Sequence, residues 1–572
     1  MKWKKREHNK EIEKSYLDNG VNRLVSRLLS QRGITIQEAK NFLKSPYENL
    51  SDPFSLPNMK EAVDIFCWAI DNKKTVAVMG DYDCDGVISS SMVYDLCRFF
   101  NLDCKVFLPH RIKHGYGFSP KTVSAFKEKM SNPPDLVMVL DCGSNNNAEV
   151  DMLKDWGVKK IMILDHHIIN KEKAAFNSDA LVNWHLSDCK EMCTCGEVYQ
   201  FIRGINRVKP ELNPIEFLTM AAIGTIADSS PIVGDNRIIV KHGLSEYAKN
   251  HVISFGFDSL MRVSNIDSNE IMQEDVAFKI APLINASGRL SSPDIAYRLL
   301  VEKDSLTADL IAENLVELNN KRKKIQNDIT HSAIEMVKEN KSKYTHGMLL
   351  YNKDWHVGVV GIVASKVVEY FGKPAIILGH NGVACKGSGR TIPGVNIKAI
   401  LDNIGHKVFS EYGGHENAVG VTIKPDIIEE NKIDFANMVF NAECEKYFSS
   451  QGVKEQYRFY DADIKVSSVN IDTAKKIKKF IYPYSNDNPE PIFKLNSVTA
   501  FNVKVRNGKG WSLITFNVKS GSEEVPFSFN QFNSSENQDL EGHKVNVYFH
   551  FPQRLNGKYI NLNVLKIEKV QC

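Results

Sequence analysis

No run of eighteen or more apolar residues occurs in this 572-residue chain, so the sequence predicts no membrane span. The opening MKWKKREHNKEIEK is charged with no apolar stretch behind it, and no secretory signal is expected. Cysteine gives no disulfide framework: the eleven are odd in number and scattered, which suits a reducing, cytoplasmic compartment. One tight cluster, CKEMCTC (Cys189, Cys193, Cys195), lacks a second Cys or His pair at zinc-finger spacing, so ordinary thiols near a loop are expected there. Net charge is also scarce. At +3 it forces no nucleic-acid reading, and affinity for a polyanion must come from local clustering. No internal repeat or low-complexity tract stands out.

What is present is a folded, multidomain composition. With 43% hydrophobic and 25% charged residues the chain is neither disordered nor fibrous, and its length exceeds what one core supports. Residues 1–70 read as short helices. From residue 71 apolar β-branched runs (TVAVM, CKVFLP, DLVMVL, KIMILD, ALVNW) alternate with helical spacing, the pattern of a doubly wound, largely parallel sheet reaching to about 255. A helical connector occupies 256–343, and its stretch from about 305 has no proline or glycine. The KRKK run at 321–324 within it is expected on a solvated helix face. A second α/β unit follows at 344–452, and 453–572 reads as short strands with turn signals, a small all-β barrel.

Acids gather where the first sheet's strands end. Asp81, Asp83 and Asp85 follow TVAVM, Asp141 follows DLVMVL, Asp165-His166-His167 follows KIMIL, and Asp228 ends the apolar segment FLTMAAIGTIA. Helix capping accounts for one or two such aspartates, not for a triplet and a histidine pair aimed at one edge. Crowded carboxylates repel unless a cation sits among them. Oxygen and imidazole donors suit Mn²⁺ or Mg²⁺. More ligands than one ion needs predict two divalent ions, which activate a water for attack on a phosphate ester.

These residues resemble the DHH phosphoesterase superfamily, named for Asp-His-His, and within it the RecJ-type single-strand-specific 5′→3′ exonucleases. GDYDCDGV, DCG, LDHH and GTIADSSPI match in order, as do LPHRIKHGYG, PLINASGRL, WHVGVVGIVASKV, GSGRT and YGGHENAVG, covering nearly the whole chain. The resemblance implies Asp81, Asp83, Asp85, Asp141, His166 and Asp228 as metal ligands, Asp81 either directly or in support. It implies His167 as the catalytic histidine with Asp165 beside it, coordinating or orienting. Ser388 and Arg390 with Arg111 are implied to grip a terminal 5′-phosphate. Arg289 in NASGRL is expected to reach the scissile or adjacent phosphate, a salt bridge to the acidic site being the alternative, and the glycines of YGGHENAVG with His415 suggest close backbone approach to the strand beside the metal site.

The same resemblance implies an OB-like C-terminal barrel that feeds in single-stranded DNA, a role in repair and recombination, and a monomer. Its expected partners are a RecQ-type helicase and a single-strand-binding protein. Bases could stack on Trp511, Phe527, Phe529, Tyr548 or Phe549, although aromatics in strands are usually core. One departure is PYSNDNPEP, with Ser485 and Asp487 where such chains tend to have glycine. The alternative within the superfamily is hydrolysis of short oligonucleotides or cyclic dinucleotides, by chains usually shorter and without the barrel. A rival of another class is a strand-binding scaffold that has lost its metal ligands, but every acidic position is filled here.

Overall fold

The computed structural model describes residues 2–570, apart from 112, 116, 171, 188–190, 251–253, 452–456, 509–510, 521–522, 533–538, 553 and 555–561. The chain opens on a strand, β1 (Lys2–Lys5), where the sequence reading has helices alone. Helices Lys10–Asp18, Arg23–Gln31, Ile36–Lys44 and Met59–Asp71 follow.

Next come β2 (Val76–Gly80), β3 (Cys104–Phe107), β4 (Leu136–Leu140), β5 (Lys160–Leu164) and β6 (Ala180–Val182), in the order β3-β2-β4-β5-β6 and all parallel. Their unbroken apolar character reflects burial on both faces. Val76 and Val78 enter one core with Val87 and Ile88 of helix Cys84–Phe99. Ala77 and Met79 enter the other, with Phe126 and Leu153 from helices Pro120–Met130 and Asn147–Trp156. The chain leaves β2 toward β3 on one side and returns as β4 on the other. That reversal opens a crevice beyond the strands' carboxyl ends.

A single helix, Ser305–Glu339, leads to the second domain. Strands β7 (Met348–Tyr351), β8 (Ala375–His380), β9 (Cys385–Arg390), β10 (Phe409–His415) and β11 (Ala418–Ile423) form a sheet ordered β10-β11-β9-β8-β7. Only the β7–β8 pair is parallel.

The last part holds β12 (Tyr457–Tyr460), β13 (Ala462–Asp463), β14 (Phe493–Gly508), β15 (Trp511–Ser520), β16 (Glu523–Phe532), β17 (Lys544–His550) and β18 (Leu562–Lys569). Pairing of β14 with both β15 and β17 closes the barrel. β12 pairs in parallel with β1 at the other end of the chain. Tyr16, Leu28 and Leu29 of the N-terminal helices share one core with Phe493, Phe516 and Phe549 of the barrel. Phe527, Tyr548 and Phe549 are buried, as strand aromatics usually are; the side chains of Trp511 and Phe529 lie outside the described residues.

The PYSNDNPEP turn is tightly held without its glycines. Neither Ser485 nor Asp487 adopts a positive φ. The Asn488 amide donates to the carbonyls of Ile481 (2.7 Å) and Pro483 (2.6 Å), and Arg237 Nη2 donates to Tyr482 O (2.7 Å).

Candidate metal centre

Every acidic residue singled out from the sequence, apart from Asp228, sits at the carboxyl edge of the parallel sheet. Asp81 follows β2, Asp141 follows β4 and Asp165 follows β5, all three almost fully buried. Asp83 caps helix Cys84–Phe99, its Oδ1 accepting from the backbone N–H groups of Asp85 (3.0 Å) and Gly86 (3.2 Å). Asp85 lies in that helix's first turn. Asp141 holds a φ of +62°, a left-handed conformation that aspartate tolerates better than most residues. Asp228 arrives differently: its apolar segment is the helix Ile215–Ala227, and Asp228 stands at that helix's C-terminal end.

These side chains form three groups whose donor atoms lie within 4.8 Å of one another: Asp81, Asp83 and Asp141; Asp85, His166 and Asp228; and Asp141, His166 and His167. The first two groups share no residue, and the third joins them. Asp165 belongs to none. Its Oδ1 accepts from His167 Nδ1 (2.7 Å) and the His167 backbone (3.2 Å), while Oδ2 accepts from Ser144 N (2.9 Å). Both oxygens are thus engaged in orienting His167 and its loop.

The electrostatics fit missing positive charge. Burial, reinforced by the charge of Asp83, pushes the Asp81 carboxyl up to about 8. Asp141 is driven well above the carboxylate range by burial and then by Asp83 and Asp85, and Asp228 rises through burial as well. Burial alone lowers His166, but Asp228 and Asp85 outweigh it and raise the ring to about 9. Burial also opposes ionisation of Asp165, yet the hydrogen bond and charge of His167 hold it below its ordinary value. Asp81 Oδ1 is buried with no hydrogen-bond partner. An orphaned oxygen among destabilised carboxylates is what a cation relieves, so the residues present fit divalent metal.

Sequence reasoning missed the supports. Asp85 is seated on the start of helix Thr194–Val208, accepting from Thr194 N (2.8 Å) and Cys195 N (2.9 Å), and Thr194 Oγ1 donates to Asp141 Oδ1 (3.1 Å). Cys193 and Cys195 are therefore buried packing residues here and belong to none of the three groups. Cys189 lies outside the described residues. No spacing rule marks Thr194; only the tertiary fold brings it to the acids.

A second cluster is cationic and spans the domains. Arg111 lies over the Tyr82 ring, its guanidinium carbon 5.1 Å from the centroid. Burial and then the charge of Arg111 lower Arg289 to about 10, and the same two causes lower Arg390. Arg289 also feels Arg322, the residue of the KRKK run that the helix buries against Asn319 (3.0 Å) and Gln326 (2.8 Å). Lys321, Lys323 and Lys324 are exposed, as a solvated face requires. A Cβ on Gly361 would lie 3.2 Å from Ser388 Oγ and 3.4 Å from Arg390 Nη2, so helix Val360–Phe371 begins against this pair. His415 pairs with Ala418 and Ala418 with Arg390, so His415 lies two strands from Arg390 in one row, about 10 Å away by strand spacing. His415 is exposed and joins none of the three acidic groups.

A profile of the DHH family, N-terminal domain, matches residues 75–225, and the DHHA1 domain matches residues 341–446. Residues 75–225 thus carry a DHH-type domain and residues 341–446 a DHHA1-type domain. Among its DHH relatives is the single-stranded-DNA-specific exonuclease RecJ of Bacillus subtilis, 31% identical over 500 residues. The match takes in 86% of this chain and 61% of that protein, so the chain spans about three-fifths of that relative's length. The RecJ of Dickeya dadantii is 28% identical, with 83% of this chain and 84% of that one covered. In three dimensions the whole chain superposes on 80% of Thermus thermophilus RecJ, solved in complex with Mn²⁺, at a TM-score of 0.81 and 22% identity, a likeness of fold. A RecJ bound to manganese is 26% identical over 68% of this chain and 95% of that one, with a TM-score of 0.59. The fold expected of a DHH chain is therefore present: DHH sheet, long helix, DHHA1 domain and terminal barrel. No helix among the described residues is long and apolar enough to cross a membrane.

Proposed function

We propose that this chain is a metal-dependent exonuclease that degrades single-stranded DNA from its 5′ end to mononucleotides, in the cytoplasm, in DNA repair and recombination. The observation that carries the reading is the meeting of two separate three-residue ligand groups at the sheet's reversal point, faced by arginines that press on one another. Asp81, Asp83 and Asp141 would hold one Mn²⁺ or Mg²⁺ ion, and Asp85, His166 and Asp228 a second. When bound, such a pair supplies an activated water and offsets charge on the attacked phosphate.

The chain's own residues supply the rest. Asp165 fixes the His167 ring through Nδ1 and keeps it readily protonated, so His167 steadies developing charge or passes a proton to the leaving 3′-oxygen. Arg289 binds the scissile or the adjacent phosphate. Arg111, Ser388 and Arg390 bind the terminal 5′-phosphate, which carries more charge than an internal one and so selects an end. His415 and the glycines around it line the path of the strand, and the barrel draws the strand in. The working domain limits are 1–70, 71–255, 256–343, 344–452 and 453–572. A RecQ-type helicase and a single-strand-binding protein would expose and present the substrate to a monomer.

A digestion time course tests the proposal. With Mn²⁺, end-labelled single-stranded DNA should yield mononucleotides from the 5′ end, while duplex and 5′-blocked DNA resist. Faster cleavage of a dinucleotide than of long strands would instead favour a short-oligonucleotide hydrolase.

A further inference from the structure

Tyr82 stands between two of the acids, Asp81 and Asp83, yet its ring serves the cationic cluster. The ring is almost fully buried, and the Arg111 guanidinium lies over it. Its backbone is clamped from two sides. A Cβ on Gly288 would fall 2.6 Å from Tyr82 O, and one on Gly86 would fall 2.5 Å from Asp81 O, so both helices approach as closely as glycine allows. The Asn285 side chain accepts from Cys84 N (3.0 Å), tying the far end of the loop to the helix Ala281–Leu290. That helix also carries Arg289, whose charge reaches Tyr82. One short, immobilised segment therefore holds acids on either side and an arginine on the ring between them.

We propose that Tyr82 is a positioning residue that holds Arg111 at a fixed distance from the metal centre, so that cleavage falls one nucleotide from a phosphorylated 5′ end. The inference rests on the exonuclease reading above and adds the element that sets its step. A flexible arginine could follow a terminal phosphate to several depths. One held over a buried ring, beside the half-buried Arg289 and Arg390, grips it at a single depth.

The test compares hydrolysis of 5′-phosphorylated and 5′-hydroxyl single strands, with product lengths resolved, for the full chain and for Tyr82→Leu and Tyr82→Phe. Tyr82→Leu should lower the ratio of phosphorylated to hydroxyl rates at least tenfold and release dinucleotides among the products. Tyr82→Phe, which keeps the ring, should retain both the ratio and the mononucleotide product. A ratio and product length unchanged in Tyr82→Leu would overturn the proposal, as would equal loss on both substrates, the signature of a merely structural role. Should Tyr82→Leu fail to fold, Tyr82→Trp keeps a flat ring of another depth, and an unchanged product length there overturns the proposal too. If the unaltered chain cleaves neither strand with Mn²⁺, it is the exonuclease reading that fails.

Discussion

His167 Nδ1 lies 2.7 Å from Asp165 Oδ1, and the opposite Asp165 oxygen is taken by Ser144 N. The carboxylate of the Asp-His-His sequence thus faces its own histidine rather than the metal groups. Burial lowers the His167 ring's affinity for a proton, and the Asp165 bond and charge more than restore it, leaving the ring above its ordinary value. Asp165→Asn should therefore reduce turnover by about 10²–10⁴-fold, the range for a positioned acid or base. Calorimetric Mn²⁺ titration should give the stoichiometry of the unaltered chain. A variant that loses a bound ion would make Asp165 a ligand instead.

Arg390 has another arginine as its charged neighbour, and burial already lowers its pKa. An anion should relieve that crowding. Arg390→Ala is expected to erase discrimination between 5′-phosphorylated and 5′-hydroxyl strands while hydrolysis of the hydroxyl strand continues. Rates measured on the two substrates check it, and an unchanged preference removes Arg390 from the end-binding pocket.

The N-terminal helices and the barrel share one core, with Tyr16 and Leu28 packed among the barrel's phenylalanines. Deleting only residues beyond 455 should expose those side chains, each burial being worth about 1.5–3 kcal/mol, and yield aggregating protein. Removing residues 1–44 as well should restore a soluble fragment that cleaves short strands but binds long ones weakly. Light scattering and strand-length series report the two outcomes. Equal solubility of both fragments would contradict the shared core.

Metal should bind the fold and not the unfolded chain, since the six ligands come from four separate segments between Asp81 and Asp228. Mn²⁺ at a hundred times its dissociation constant is expected to add about 2.7 kcal/mol per site. Thermal melts with Mn²⁺ and with chelator measure this. Asp83→Ala should shrink the difference and abolish hydrolysis while leaving strand binding largely intact.

Much of this site was legible because strand ends announce themselves. An apolar β-branched run followed by Asp81, Asp141 or Asp165 fixes the edge on which each side chain stands, and parallel alternation brings those edges together. Asp228 was found by its motif, although it comes from a helix rather than a strand. The supports were not legible. Thr194 opens a helix that happens to point at Asp85, Tyr82 is an ordinary aromatic until Arg111 covers it, and Arg322 hides in a run whose other members are exposed. Similarly, nothing local in KWKK says that it will pair with Tyr457–Tyr460. Such roles arise from contacts between distant segments, which periodicity does not encode.

The most direct test is anomalous scattering from crystals of the protein soaked with Mn²⁺. Two peaks about 3.5–4 Å apart are expected, one among Asp81, Asp83 and Asp141 and the other among Asp85, His166 and Asp228. No peak at those residues would contradict the account.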